Sequence, residues 1–78
     1  MEIPDDLIAL ERAAEEARAR LAGLDGDAFD QQRAVWREAA AKVQAAIVTH
    51  AGEKGVSRYE LEMAVKRAVR SQEEDPAE

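Results

Sequence analysis

The stretch IPDDLIALERAAEEARARLAGL, residues 3–24, decides the fold class of this chain. Its apolar residues are spaced alternately four and three positions apart, which places them on one narrow stripe of a helix. Pro4 suits a first helical turn, and Gly23 suits a helix end. We therefore predict a first helix over about residues 4–22. Its stripe consists of Ile3, Leu7, Leu10, Ala14, Ala17, Leu21 and Leu24.

A second apolar pattern predicts a longer helix over about residues 28–51. Asp27 is placed to cap its N-terminus, and Gly52 is a plausible C-terminal stop. The apolar arc is broad, so we expect neighbours on two sides and place this helix in the middle of the domain. Trp36 lies at the centre of the arc and is expected to be buried. The centre line is formed by Phe29, Trp36, Val43, Ile47 and His50.

The third helix has the clearest start signal. Ser57 and Glu60 form a capping box, and Val56 and Leu61 occupy the two positions of a hydrophobic staple. The helix is predicted over about residues 58–71. The chain then becomes polar and acidic, so residues 71–78 are predicted to be a mobile tail. The fold class is all-α: an antiparallel helical hairpin with a shorter third helix packed on it, forming a single three-helix domain over residues 1–70.

Composition limits the functional classes. The chain has 78 residues, no cysteine, one histidine and a formal net charge of −6. These features argue against disulfides, thiol chemistry and a transition-metal centre. The first residues lack the basic and apolar regions of a signal peptide, and no stretch is apolar enough to span a membrane. We expect a cytoplasmic protein without a membrane partner.

Candidate chemical sites all have simpler interpretations. Asp25, Asp27 and Asp30 resemble part of a calcium loop, but Gly26 is misplaced for that motif, and a turn with a helix cap also explains them. His50 at a helix end is interpreted as structural rather than as a ligand. No nucleophile with an adjacent base and no glycine-rich phosphate loop can be assembled. The sequence predicts a non-enzymatic protein without a cofactor or a metal site.

One face of the third helix carries residue types that are not typical of a buried core. It carries an aromatic and a thioether among cations, residue types that are enriched at protein interfaces. The alternative is that Tyr59 and Met63 lie against a neighbouring helix of the same molecule. We predict a partner-binding face made of Tyr59, Met63, Lys66, Arg67 and Arg70.

Self-association is the expected activity of this small domain. Ala14 and Ala17 are small enough for another helix to approach the first helix closely, and three short helices leave apolar edges open to water. Ile8 is expected to be exposed on the far side of the first helix. The predicted assembly is a homodimer that resembles a four-helix bundle with appended third helices.

A second interpretation comes from the segment AGEKGVS, residues 51–57, followed by a helix with Leu61. This segment resembles the turn of helix-turn-helix DNA-binding proteins, in which an alanine precedes the turn glycine by four and an apolar residue follows it by six. The resemblance implies a small DNA-binding regulator that uses residues 47–70. The net charge disfavours nucleic acid as a partner. The implied DNA contacts are Arg58, Tyr59, Glu62, Met63, Lys66 and Arg70.

Overall fold

The computed structural model describes residues 2–73 of the chain, and this part folds into three α-helices. They are α1 (Asp5–Ala19), α2 (Gly26–Lys54) and α3 (Arg58–Glu73). The predicted all-α architecture, a hairpin with a third helix packed on it, is confirmed. None of these helices has both the length and the apolar character needed to cross a lipid bilayer.

The first helix is shorter than predicted at its C-terminal end. Its first hydrogen bonds run from the Leu7 and Ile8 amides to the Pro4 carbonyl, at 3.1 and 3.4 Å. Regular α-helix ends at Ala19, and after Arg20 the amides bond three residues back, with Leu21 donating to Arg18 at 3.0 Å and Ala22 donating to Ala19 at 3.3 Å. Such tightened turns are common at helix ends. The predicted end at residue 22 therefore falls within the turn.

The second helix begins two residues earlier than predicted. Asp25, rather than Asp27, occupies the N-cap position in an extended conformation, and its side chain makes no capping hydrogen bond. The Asp25 carbonyl accepts from the Phe29 amide at 3.3 Å, so the helical ladder starts there. Asp27 instead lies in the first turn, where a carboxylate interacts favourably with the helix dipole.

Gly52 does not end the second helix, which continues to Lys54. The end is set by Gly55, whose backbone is left-handed with φ 67° and ψ 33°. The Gly55 amide donates to the Ala51 carbonyl, and the Val56 amide donates to the same oxygen at 3.1 Å. The six-residue bond from Val56 to Ala51 is the signature of a Schellman motif, which needs a left-handed residue and so favours glycine.

The third helix begins where the capping box predicted. The Glu60 amide donates to Ser57 Oγ at 3.3 Å, and the Leu61 amide donates to the Ser57 carbonyl at 2.9 Å. The helix extends to Glu73, so the first residues of the predicted tail are helical. The remainder of that prediction, residues 74–78, lies outside the described residues.

The core lies where the three helices meet, and each helix contacts both others. The most extensive contact is between α1 and α2; α3 also packs directly on α1, which the sequence did not indicate. Ile8, expected on the surface, is only 9% exposed. That expectation was wrong because α1 has neighbours on two sides rather than one. The central cluster consists of Leu7, Ala14, Val43, Ile47, Ala51, Leu61 and Val65.

Candidate interaction surface

The predicted partner-binding face of α3 is only partly open to solvent. Tyr59 is 71% exposed, and Arg67 and Arg70 are exposed as well. Met63 and Lys66 are half-buried. The face is therefore an aromatic ring and two guanidinium groups at the surface, with a thioether and an ammonium set deeper.

Lys66 makes an intramolecular contact. Its Nζ lies 3.1 Å from Oε2 of Glu11, a residue of α1 that is only 4% exposed. A buried carboxylate is costly unless it is paired and hydrogen-bonded. The pair therefore fixes α3 against α1 and removes Lys66 from the set of freely available cations.

Two further residues of α3 are linked to α2 through Gln44. Arg58 donates to the Gln44 side-chain oxygen at 2.7 Å, and the Gln44 amide nitrogen donates to Glu62 Oε2 at 3.3 Å. The three side chains thus form a short hydrogen-bonded chain along the α2–α3 contact. Both Arg58 and Glu62 are implied DNA contacts, and both already have a partner within the molecule.

The first half of α2 is the least covered part of the core-facing surface. Every buried residue of this helix lies in its second half, at Val43, Ile47 and Ala51. Phe29 and Trp36, two of the three aromatic residues in the chain, are only half-buried. The expected burial of Trp36 between helices was therefore wrong, because the neighbouring helices cover only part of the ring.

A cleft of about 750 Å³ opens beside Trp36. Its apolar lining comes from α1 and α2 and includes Ala14, Ala40 and Val43, while Lys66 and Arg70 contribute from α3. Lys66 and Arg70, two residues of the predicted partner-binding face, thus line the same cleft as Trp36. An apolar centre with a charged rim is the usual anatomy of a protein interface.

A second cleft, of about 700 Å³, lies near the start of α1. It is lined by Ile3, Pro4, Val56 and the side chains of His50 and Lys54. His50 is half-buried there, one turn from the end of α2. Among residues 2–73, no three histidine, aspartate or glutamate side chains are grouped in a way that would hold a metal ion.

Sequence reasoning missed Glu11 and Gln44, the polar residues that connect the helices. Glu11 had a detectable signal, because it lies four residues after Leu7 and three before Ala14, in line with the apolar stripe. A charged residue on such a stripe needs a cation nearby, although its position in the chain cannot be deduced from spacing. Gln44 carried no comparable signal.

Comparison with protein-family models, curated proteins and solved structures finds no match for this chain. Function is therefore inferred from the residues and their contacts alone.

Proposed function

We propose that the protein is a non-enzymatic helical assembly module that forms a homodimer through the open end of its α1–α2 hairpin. The observation that supports this proposal is the uncovered first half of α2. Leu24 and Val35 are 37% and 52% exposed, and Phe29 and Trp36 are half-buried. Leu24 lies in the turn between α1 and α2, and the other three residues lie in the first half of α2.

The physical reason is the cost of leaving that end open. Residues of a helix without tertiary contacts gain little stability from hydrogen bonding alone. Burial of apolar surface contributes roughly 25 cal/mol per Å², so covering Trp36 and Phe29 with another helix would stabilise the whole hairpin. A second copy of the chain supplies such a helix, and its own Trp36 and Phe29 are covered by the first copy in return. The product is a four-helix bundle made from two hairpins.

The contact surface differs from the one that the sequence suggested. Ala14 and Ala17, expected to admit a partner helix, are already buried within the chain at 4% and 5% exposure. Ile8 is also covered. The dimer proposed here therefore uses the hairpin end around Leu24 and Trp36 rather than the middle of α1.

The outward face of α3 remains a proposed surface for a different protein partner. Tyr59 is the most exposed large apolar side chain among the described residues, and Arg67 and Arg70 are exposed two to three helical turns further along α3. Tyrosine and arginine often dominate binding energy at interfaces. If this face binds a partner protein, Tyr59→Ala and Arg70→Glu will weaken that binding without altering the mass of the homodimer.

A second candidate function is DNA binding, which the α2–α3 turn favours. Gly55 is left-handed, and Ala51 and Leu61 are buried in one cluster, at 6% and 0% exposure. A turn of this length that contains glycine is typical of helix-turn-helix motifs. Against it, Arg58, Glu62 and Lys66 are hydrogen-bonded within the molecule.

Sedimentation equilibrium tests the principal proposal. We expect a dimer mass whose population rises between micromolar and millimolar concentration, and a single species of monomer mass throughout would refute self-association. Titration of duplex DNA at low and high salt tests the second candidate, because binding to phosphates weakens steeply as salt rises. Absence of binding at low salt would rule out DNA binding as a function.

A further inference from the structure

The homodimer proposed above has one arrangement that suits the first half of α2. We infer that two copies pair through antiparallel α2 helices, with the twofold axis passing between Gln32 and Arg33. This inference rests on the proposed self-association and adds the partner, the orientation and the register. Two observations support it, one apolar and one electrostatic.

The apolar observation is the spacing of Phe29 and Trp36. They are seven residues apart, which is about two helical turns, so they lie on the same face of α2. Both are half-buried. An axis between residues 32 and 33 places Phe29 opposite the partner's Trp36, and the same contact recurs on the other side. Aromatic rings packed in this way contribute more than their buried area alone.

One flank of this aromatic line is already occupied. Gln32 donates from its side chain to the Ala17 carbonyl at 2.8 Å, so α1 lies on that side. The opposite flank carries Asp30, Arg33 and Arg37, all exposed. A partner helix therefore has access to the aromatic line from the flank that carries these three charges, as far as Gln44, where the contacts with α3 begin.

The charges on this flank distinguish the two orientations. In an antiparallel pair with the stated axis, Asp30 faces Arg33 and Arg37 of the partner subunit, on both sides of the axis. In a parallel pair, this flank would face the opposite flank of the partner helix, whose Gln32 and Ala39 are uncharged, so the contacts of Asp30 with the arginines would be lost. The two Arg33 side chains lie near the axis in the antiparallel pair, but both are exposed, so solvent screens their repulsion. Opposite charges steer and orient association, and the Asp30 contacts therefore favour the antiparallel pair.

Chemical crosslinking tests the register, because the chain contains no cysteine of its own. Arg33→Cys places one thiol beside the axis in each copy. Ala41→Cys is the matched control: it is exposed on the same flank of α2, about three helical turns after Asp30, and at about 1.5 Å per residue its two copies would lie roughly 25 Å apart in the antiparallel pair. With a short bismaleimide we expect a covalent dimer from Arg33→Cys and none from Ala41→Cys.

Charge reversal gives an independent measurement that needs no crosslinker. Asp30→Arg should raise the dissociation constant of the dimer about tenfold, because two attractive contacts become repulsive. Glu38→Arg makes the same change in charge on the opposite face of α2, where the side chain is exposed, and should leave the constant nearly unchanged. Adding Arg33→Asp and Arg37→Asp to Asp30→Arg should recover most of the loss.

The outcomes separate this inference from the proposal on which it rests. A monomer at every concentration removes both. A dimer that crosslinks through both cysteine variants is parallel, and a dimer that crosslinks through neither uses another surface; each result overturns the inference while self-association stands. Equal effects of Asp30→Arg and Glu38→Arg would overturn it as well.

Discussion

Lys66 of α3 holds the buried carboxylate of Glu11 in α1, with 3.1 Å between Nζ and Oε2. The two residues differ in environment, since the Glu11 side chain is 5% exposed and the Lys66 side chain 42%. The lysine thus reaches from the surface to a carboxylate that water scarcely reaches. This asymmetry makes the contact more important for how α3 is positioned than an exposed ion pair would be.

The first prediction concerns this pair. Lys66→Ala leaves the Glu11 carboxylate buried without its partner, and we expect a loss of about 1–3 kcal/mol in the free energy of unfolding. Arg67→Ala removes the neighbouring exposed cation and should change stability by less than about 0.5 kcal/mol. Urea denaturation followed by circular dichroism measures both variants.

A double variant gives the internal control. Glu11→Met with Lys66→Met replaces the pair by apolar side chains of similar length, and such replacements are often neutral or stabilising. The double variant should therefore be more stable than Lys66→Ala. Equal stability of Lys66→Ala and the unmodified protein would mean that Glu11 is adequately hydrated without the lysine.

The second prediction concerns the start of α3. Ser57 Oγ accepts a hydrogen bond from the Glu60 amide, so Ser57→Ala should lower the free energy of unfolding by roughly 1 kcal/mol. Ser71→Ala is the matched control, because Ser71 is exposed near the other end of the same helix. Thermal unfolding of both variants is the measurement, and equal melting temperatures would place the start of α3 elsewhere.

Local signals in the sequence were reliable where a side chain acts on its own backbone. The capping box at Ser57 placed the start of α3 correctly because the bond it predicts spans three residues. The two glycines near the end of α2 were harder to rank. Gly52 and Gly55 are both adequate helix stops, and only the contact between Val56 and Ala51 selects the second.

Properties that depend on where neighbouring helices end could not be read from spacing. The pattern around Trp36 is that of a core residue, yet the ring is half-buried and lies beside a cleft. Ile8 shows the reverse case, since it lies off the stripe yet is only 9% exposed, in a helix that packs on both α2 and α3. For the interaction surface, Tyr59 was correctly expected to be exposed, whereas Lys66 is engaged by a residue 55 positions away.

The third prediction uses Trp36, the only tryptophan, as a reporter of assembly. If a second copy covers its exposed side, the fluorescence maximum of the native protein should move to longer wavelength on dilution. The midpoint of that change should match the dissociation constant from sedimentation. An emission maximum that stays constant while the mass changes would show that Trp36 lies outside the dimer contact.

The fourth prediction contrasts the two glycines that compete to end α2. Gly55 has a left-handed backbone, which costs an L-residue about 1–2 kcal/mol, so Gly55→Ala should destabilise the protein by roughly that amount. Gly52 lies inside the helix, and a methyl group there would meet no atom within 4 Å apart from the adjacent backbone of α2. Alanine stabilises a helix interior over glycine, so Gly52→Ala should raise stability by about 0.5–1 kcal/mol.

The opposite signs of these two changes make the comparison sensitive to where α2 ends. Denaturation of both variants under the same conditions measures the difference, which should be about 2 kcal/mol when the two effects are combined. If α2 ended at Gly52 instead, Gly52→Ala would be the destabilising change and Gly55→Ala nearly neutral. The same experiment bears on the DNA-binding candidate. The helix-turn-helix resemblance requires Gly55 to be the turn glycine. If Gly55→Ala did not change stability, residue 55 would not need the left-handed backbone that this turn requires, and the resemblance would fail.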